Sequence, residues 1–373
     1  MDNLINEVYE IIKDYREDEG SQNQITVEGI KVWILQFKEE DREFILSELI
    51  NILKERYVTK VDAIKFLNAV IEVLTEESIY QTEEEFLNNT VFLDLQEEGK
   101  SQKKLLELLQ EFLHTKYNYD INNCGSTSKK YFIYLDDVLC TGKTFFDDIY
   151  DWSLKEYSSS KSNKLAIIDG SAKLFPIFIF KHTLNYWKKM KQIEIKIGKK
   201  FKEMIDTRNA IDIDNDKKNA YSKLQFLYPL ETGQANIITD FKDKIVRNCD
   251  EYISKQSYKS SVQEEFYRAN NTPRTENFFT NLQNRQRFEN ILLLKGVEIL
   301  NNANITKNNI RPLGYSLPST KDFGFGTLCF TWRNVPNNCP LVFWYSGGGF
   351  LPLFVKSQTN NFKKSELDEI FGF

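Results

Sequence analysis

The residues in this chain best suited to chemistry are two adjacent carboxylates, Asp136 and Asp137, and the short run behind them, Leu139, Cys140, Thr141, Gly142, Lys143 and Thr144. Hydroxyls, a glycine and successive backbone N–H groups at a helix start suit a phosphate. Ionised carboxylates only accept hydrogen bonds, so a pair of them suits the hydroxyls of a sugar. Acid pair first and phosphate turn second is the order a ribose 5-phosphate needs: diol on the carboxylates, phosphate in the turn.

These groups require a strand before them and a helix after them. Tyr131 to Leu135 is a continuous apolar run, the pattern of a buried parallel strand, and it predicts a strand ending at the acid pair. Phe145 to Glu156 reads as the helix that follows. In open α/β sheets, ligands bind outside the carboxyl ends of the strands. Upstream, Thr90 to Leu93 reads as a short strand, Asp94 to Ser101 as a polar loop and Leu105 to Leu113 as a helix. In that loop Gly99 admits close backbone approach, Lys100 supplies a point charge and Ser101 donates a hydrogen bond. An ordinary strand-to-helix turn with a solvated Lys100 is the plainer alternative.

The same loop imitates half of an NTPase, because GKS is followed later by FIYLDD. A P-loop needs G-x-x-x-x-G-K-[ST], with its first glycine where the loop curls round phosphate. Asp94 occupies that place for the first GKS, and Asp137 occupies it for the later GKT. An acidic strand of the NTPase kind also gives no reason for the TGKT turn directly after it. A degenerate NTPase is therefore the weaker alternative.

The run LDDVLCTGKT resembles the phosphoribosyl-diphosphate signature of type I phosphoribosyltransferases: a hydrophobic strand, two acids and a TGxT turn. Lys143 departs from the pattern, standing where a small residue is more usual. The resemblance implies that Asp136 and Asp137 hold the ribose hydroxyls and that Leu139 to Thr144 wrap the 5-phosphate. It further implies that the loop after the first core strand, with Gly99, Lys100 and Ser101, receives the diphosphate. Mg²⁺ is then the expected cofactor, bridging diphosphate oxygens with few protein ligands. The activity implied is pentosyl transfer to an acceptor that no residue identifies: a base, a nucleotide, or a group on RNA or protein. A non-catalytic module that senses phosphoribosyl diphosphate or a nucleotide is the alternative of a different class.

Together, WILQF around Trp33, the DDVLCTGKT centre and the tail GFGTL…RNVPNNCP…LPLF resemble the phosphoribosyltransferase-like effectors of bacterial conflict systems. That resemblance implies a role in anti-phage defence beside a genetically linked partner, such as a sensor module or a retron reverse transcriptase. The fold class expected is α/β: a parallel-sheet phosphoribosyltransferase-like core, an N-terminal helical region and a C-terminal β-rich aromatic cap. The corresponding division is 1–88, 89–248 and 249–373.

Composition bounds the remaining possibilities. A net charge of −5 provides no global electrostatic footprint for nucleic acid, so nucleic acid as an acceptor is not indicated by charge. The five cysteines are scattered without CxxC spacing, which argues for reduced thiols in a cytoplasmic protein. Only His114 and His182 are present, so a His-rich metal site is improbable and no direct side-chain metal cluster is expected. The acidic opening MDNLINEVYE does not read as a signal peptide. No apolar run approaches the roughly 18 residues of a membrane span.

The first 88 residues carry helical stripes, Leu4-Val8-Ile11, Ile45-Leu49-Ile52 and Ile64-Leu67-Ile71-Leu74. They predict either a packed helical domain or a cap or partner surface. Leu165 to Ile168 and Phe175 to Phe180 are candidate strands, with Lys181 and His182 at the carboxyl end of the second. There Lys181 is either a ligand contact or part of a surface His–Lys pair. The lysines from Lys188 to Lys200 read as a solvated face, or as an anion or RNA contact. Ile211 to Lys218 reads as a loop, and 250–285 as a mobile insertion or irregular helices. Phe288 to Leu300 predicts a helix. Thr327 to Trp332 and Leu341 to Tyr345 predict a hairpin around VPNNCP, with Arg333 reaching a phosphate and Trp332, Trp344 or Tyr345 stacking on a base. The alternative for those aromatics is packing within a small β-unit.

Overall fold

The structure, a computed structural model, describes residues 1–20, 24–218, 224–256, 262–305 and 307–355. The chain clusters into two compact units, one formed by Lys60–Ile213 and the other by Met1–Thr59 with Asp214–Phe373.

Lys60–Ile213 is an α/β unit on a four-stranded parallel sheet, whose neighbours run Thr90–Phe92, Tyr131–Leu139, Lys173–His182 and Arg208–Ile213. The two central strands are apolar on both sides, as a sheet covered on both faces requires. Phe132, Tyr134, Leu174 and Phe178 face one way. They pack on Phe145, Ile149 and Trp152 of the Lys143–Leu154 helix and on Met190 and Ile193 of the Thr183–Lys196 helix. Phe178 is fully buried, and burying a side chain of this size stabilises by about 1.5–3 kcal/mol. The Ser101–Tyr117 helix packs on the central strand, yet its buried Leu105, Leu108, Leu109 and Leu113 lie outside that cluster, so it covers the opposite face. The helices that follow the first two strands thus lie on opposite faces of the sheet. Ligands of open α/β sheets bind outside the carboxyl ends of the strands.

Three local expectations change here. The central strand does not stop at the acid pair but pairs onward, with Val138 opposite Phe180 and Leu139 opposite Lys181. Residues 165–168 lie in the Asn163–Ile168 helix, because a short apolar run has no period that separates strand from buried helix, and Ser162 caps it by accepting from the Leu165 N–H. Ile211 to Ile213 form the end of the edge strand instead of a loop.

The other unit is built on the helices Asp2–Ile12, Val27–Leu35, Glu39–Arg56, Asn236–Ser254 and Leu282–Asn302. Its core joins the helical front to the tail. Trp33 stacks on Phe343 at 6.2 Å and donates its indole N–H to the Val342 carbonyl at 2.9 Å, while Phe330 stacks on Phe354 at 5.3 Å. The tail is aromatic, as expected, but the predicted hairpin is absent among the described residues. Phe330–Thr331 is a two-residue strand paired in parallel with Tyr57–Val58, and Leu341–Trp344 is a helical turn. Thr331 Oγ1 accepts from the Asn334 N–H (2.9 Å) and closes a tight turn, and Pro336 and Pro340 carry no N–H for a ladder. Within 250–285, residues up to Ser254 and from Leu282 belong to the two long helices, and the described chain between them is irregular but packed, with Phe266, Phe278, Phe279 and Arg268 buried. Residues 257–261 of that stretch lie outside the described residues.

Candidate phosphosugar site

Because the central strand continues through Leu139, its two acids alternate across the sheet instead of both closing its end. Asp136 shares a side with Tyr134, and Asp137 with Leu135. Both are buried. Asp136 Oδ1 accepts from the Ser101 hydroxyl at 2.9 Å and from the Asp137 N–H at 2.9 Å. Its Oδ2 has one longer donor, the Gln96 amide at 3.4 Å. Burial first, and the Asp137 charge second, push the Asp136 carboxyl well above the usual carboxylate range, against the pull of these donors.

Gln96 connects the acid to a polar group that sequence inspection missed. Its amide donates to Tyr134 Oη at 2.9 Å and lies 3.4 Å from Asp148 Oδ2, which also accepts from the Tyr134 hydroxyl at 2.8 Å. Asp148 sits in the helix after the turn, and burial raises its carboxyl too. Its spacing from Thr144, four residues along a helix, was the available signal. Gln102 completes the arrangement, accepting from the Leu95 and Gln96 N–H groups and donating to the Leu135 carbonyl at 3.0 Å. The loop after the first strand is thereby tied to the strand that bears the acids.

The turn after the acids is fixed from its other side. His182 Nδ1 bonds the Leu139 carbonyl at 2.9 Å, and Asn185 Nδ2 donates to the Cys140 carbonyl at 2.8 Å. His182 is fully buried, so it is not half of a surface pair. Gly142, at φ +70°, takes the left-handed conformation that glycine adopts without strain and starts the twelve-residue Lys143–Leu154 helix. The Lys143 N–H faces Thr141 Oγ1 at 3.3 Å, and its ammonium pairs with Asp147 at 2.6 Å. Thr144 is exposed in the first turn of that helix.

Of the upstream residues, Ser101 reaches the acid pair. Lys100 occupies the N-cap position before the helix, and Gly99 bends the exposed loop at φ +85°. Asp94 is held by Lys103 at 2.7 Å. Lys181 is turned to Asp212 at 3.2 Å and to the Tyr186 ring. Arg333 belongs to the other unit, where its guanidinium pairs with Asp18 at 2.8 Å and Glu19 at 2.5 Å. Trp332 and Trp344 are buried there, which favours the packing role for the tail aromatics.

Among the described residues, no group of three or more His, Cys, Asp or Glu side chains is arranged to hold a metal ion. No described helix is long and apolar enough to cross a membrane, and no disulfide joins the five cysteines, all of them among the described residues.

Comparison with curated proteins found no match, and neither did comparison with solved structures. The family described as PRTase-CE matches residues 30–356, which takes in the α/β unit and most of the helical and aromatic one. With a parallel sheet, an acid-bearing central strand and a glycine turn opening the next helix, the chain belongs to the PRTase-CE family of phosphoribosyltransferase-like conflict-system effectors.

Proposed function

We propose that this protein binds phosphoribosyl diphosphate, or a nucleotide through its ribose 5-phosphate, and transfers the pentosyl group to an acceptor in anti-phage defence. The observation that carries this is the Ser101–Asp136 hydrogen bond, which joins the loop expected to receive diphosphate to the acid expected to hold ribose. Asp136 and Asp137 fix the ribose hydroxyls. Asp136 offers Oδ2, the oxygen with only one long donor, to a hydroxyl that restores part of the hydrogen bonding lost on burial. The turn from Leu139 to Thr144 takes the 5-phosphate on its N–H groups, and Gly99, Lys100 and Ser101 take the diphosphate.

Departure of diphosphate leaves an oxocarbenium-like centre, and positioning with electrostatic stabilisation supplies most of the rate. When bound, Mg²⁺ neutralises the departing diphosphate. The catalytic core in this proposal lies within the α/β unit formed by Lys60–Ile213, and a genetically linked partner supplies the trigger.

The test is diphosphate release and label transfer from phosphoribosyl diphosphate by purified protein with Mg²⁺. Both are expected to disappear in Asp136→Asn/Asp137→Asn. Turnover, or toxicity in cells, that is unchanged in the double variant overturns the proposal.

A further inference from the structure

Lys189 belongs to the lysine-rich stretch whose residues first read as a solvated face, but it is half-buried, unlike its exposed neighbour Lys188. It lies four residues beyond Asn185 on the Thr183–Lys196 helix, so both face the turn whose Cys140 carbonyl Asn185 holds. The stem of Lys189 lies against the glycine of that turn: a Cβ added to Gly142 would stand 2.7 Å from Lys189 Cγ. Its ammonium rests over the Phe146 ring at 5.8 Å and donates to Gln192 Oε1 at 3.0 Å. Phe146 is in the first turn of the Lys143–Leu154 helix, so Lys143 and Lys189 both stand near one helix start, where Asp147 pairs with Lys143 and also acts on Lys189.

We propose that Lys189 is the cation of the phosphate subsite, its ammonium turning from Gln192 onto a phosphate monoester seated in the turn at Cys140–Thr144. This rests on the assignment of that turn to a ribose 5-phosphate. Lys143 is committed to Asp147, whereas Lys189 holds a neutral amide and rests over the Phe146 ring, partners that a charged phosphate readily displaces. Burial lowers the affinity of Lys189 for its proton, the Asp147 charge opposes it, and the like charge of Lys143 adds a smaller push in the same direction as burial. A dianion placed between the two ammonium groups relieves their repulsion. The flexible stem of lysine allows this movement, and the missing side chain of Gly142 leaves room for it.

The experiment is calorimetric titration of the full chain with ribose 5-phosphate and with ribose. The wild type is expected to prefer ribose 5-phosphate. Lys189→Met is expected to weaken ribose 5-phosphate binding by about tenfold or more and to remove most of the preference over ribose. Lys189→Arg should retain most of the affinity, and Lys188→Met should match the wild type. Lys189→Gln is the substitute if the Met variant fails to fold. A folded Lys189→Met or Lys189→Gln variant that binds ribose 5-phosphate as tightly as the wild type overturns the inference, and so does an Arg variant no better than Met. If the wild type itself ignores ribose 5-phosphate, the assignment of the turn is wrong and the role of Lys189 falls with it.

Discussion

The Ser101 hydroxyl donates to Asp136 Oδ1 at 2.9 Å, across two segments separated by 35 positions in sequence. Ser101 is the first residue of one helix and Asp136 lies in a buried strand, so this contact ties the start of that helix to the acid-bearing strand. Ser101→Ala leaves Asp136 Oδ1 with the Asp137 N–H alone. A loss of about 1–3 kcal/mol of stability is expected, the usual cost of a buried group losing its partner. Urea denaturation read at several wavelengths checks this, and an unchanged midpoint contradicts it.

The raised carboxyl of Asp136 makes a signed pH prediction. When the folded pKa lies above the unfolded value of about 3.9, the folded state binds more protons between the two. The stability contributed is therefore fully present below the unfolded pKa and is lost as pH rises through the folded one. Asp136→Asn carries no such proton, so its stability relative to wild type should rise steadily as pH increases from about 4. Melting temperatures of both proteins across that range decide the matter. A variant that falls relative to the wild type on going to neutral pH would show the opposite sign and sink the assignment.

Gly142 has φ +70°, and a Cβ there meets Lys189 Cγ at 2.7 Å. Gly142→Ala is expected to cost about 1 kcal/mol or more in stability, from backbone strain alone. It should also weaken ribose 5-phosphate binding, because the turn and Lys189 are displaced together. Thermal melts and the same titration measure both effects. Retention of both wild-type values contradicts the geometry.

In the other unit, Arg285 is completely buried, paired with Glu276 and Glu289 and donating to the Leu224 carbonyl at 2.5 Å and the Phe226 carbonyl at 3.2 Å. Arg268 holds the other Glu289 oxygen at 2.8 Å. Breaking a buried pair by removing one partner typically costs about 3–5 kcal/mol. Arg285→Met should destabilise by that order and open the Leu282–Asn302 helix to faster amide exchange. Hydrogen exchange of that helix provides the check, and protection equal to wild type refutes the role of the network.

Much of the candidate site's framework was legible because its signals are local. The apolar run before Asp136, the glycine of TGKT and the polar loop around Gly99 each depend on neighbours in sequence, and they recur as strand, turn and loop, with Ser101 opening the next helix. Local signals misled where two structures share one pattern. A short apolar run at 165–168 suits strand and buried helix alike, and the VPNNCP stretch looks like a hairpin until its prolines and the Thr331 turn are placed.

By itself, the sequence determined which residues could meet a phosphosugar and in what order along the chain, since strand alternation and glycine's freedom at positive φ are properties of single segments. Tertiary structure alone decided which of them meet. Gln96, Asp148 and Lys189 come to the site from a loop and two helices, through contacts of no fixed spacing. The same long-range packing turned Arg333 to Asp18 and Glu19. It also buried Asp136, because desolvation depends on the layers packed above and below the sheet and not on the residues beside it in the chain.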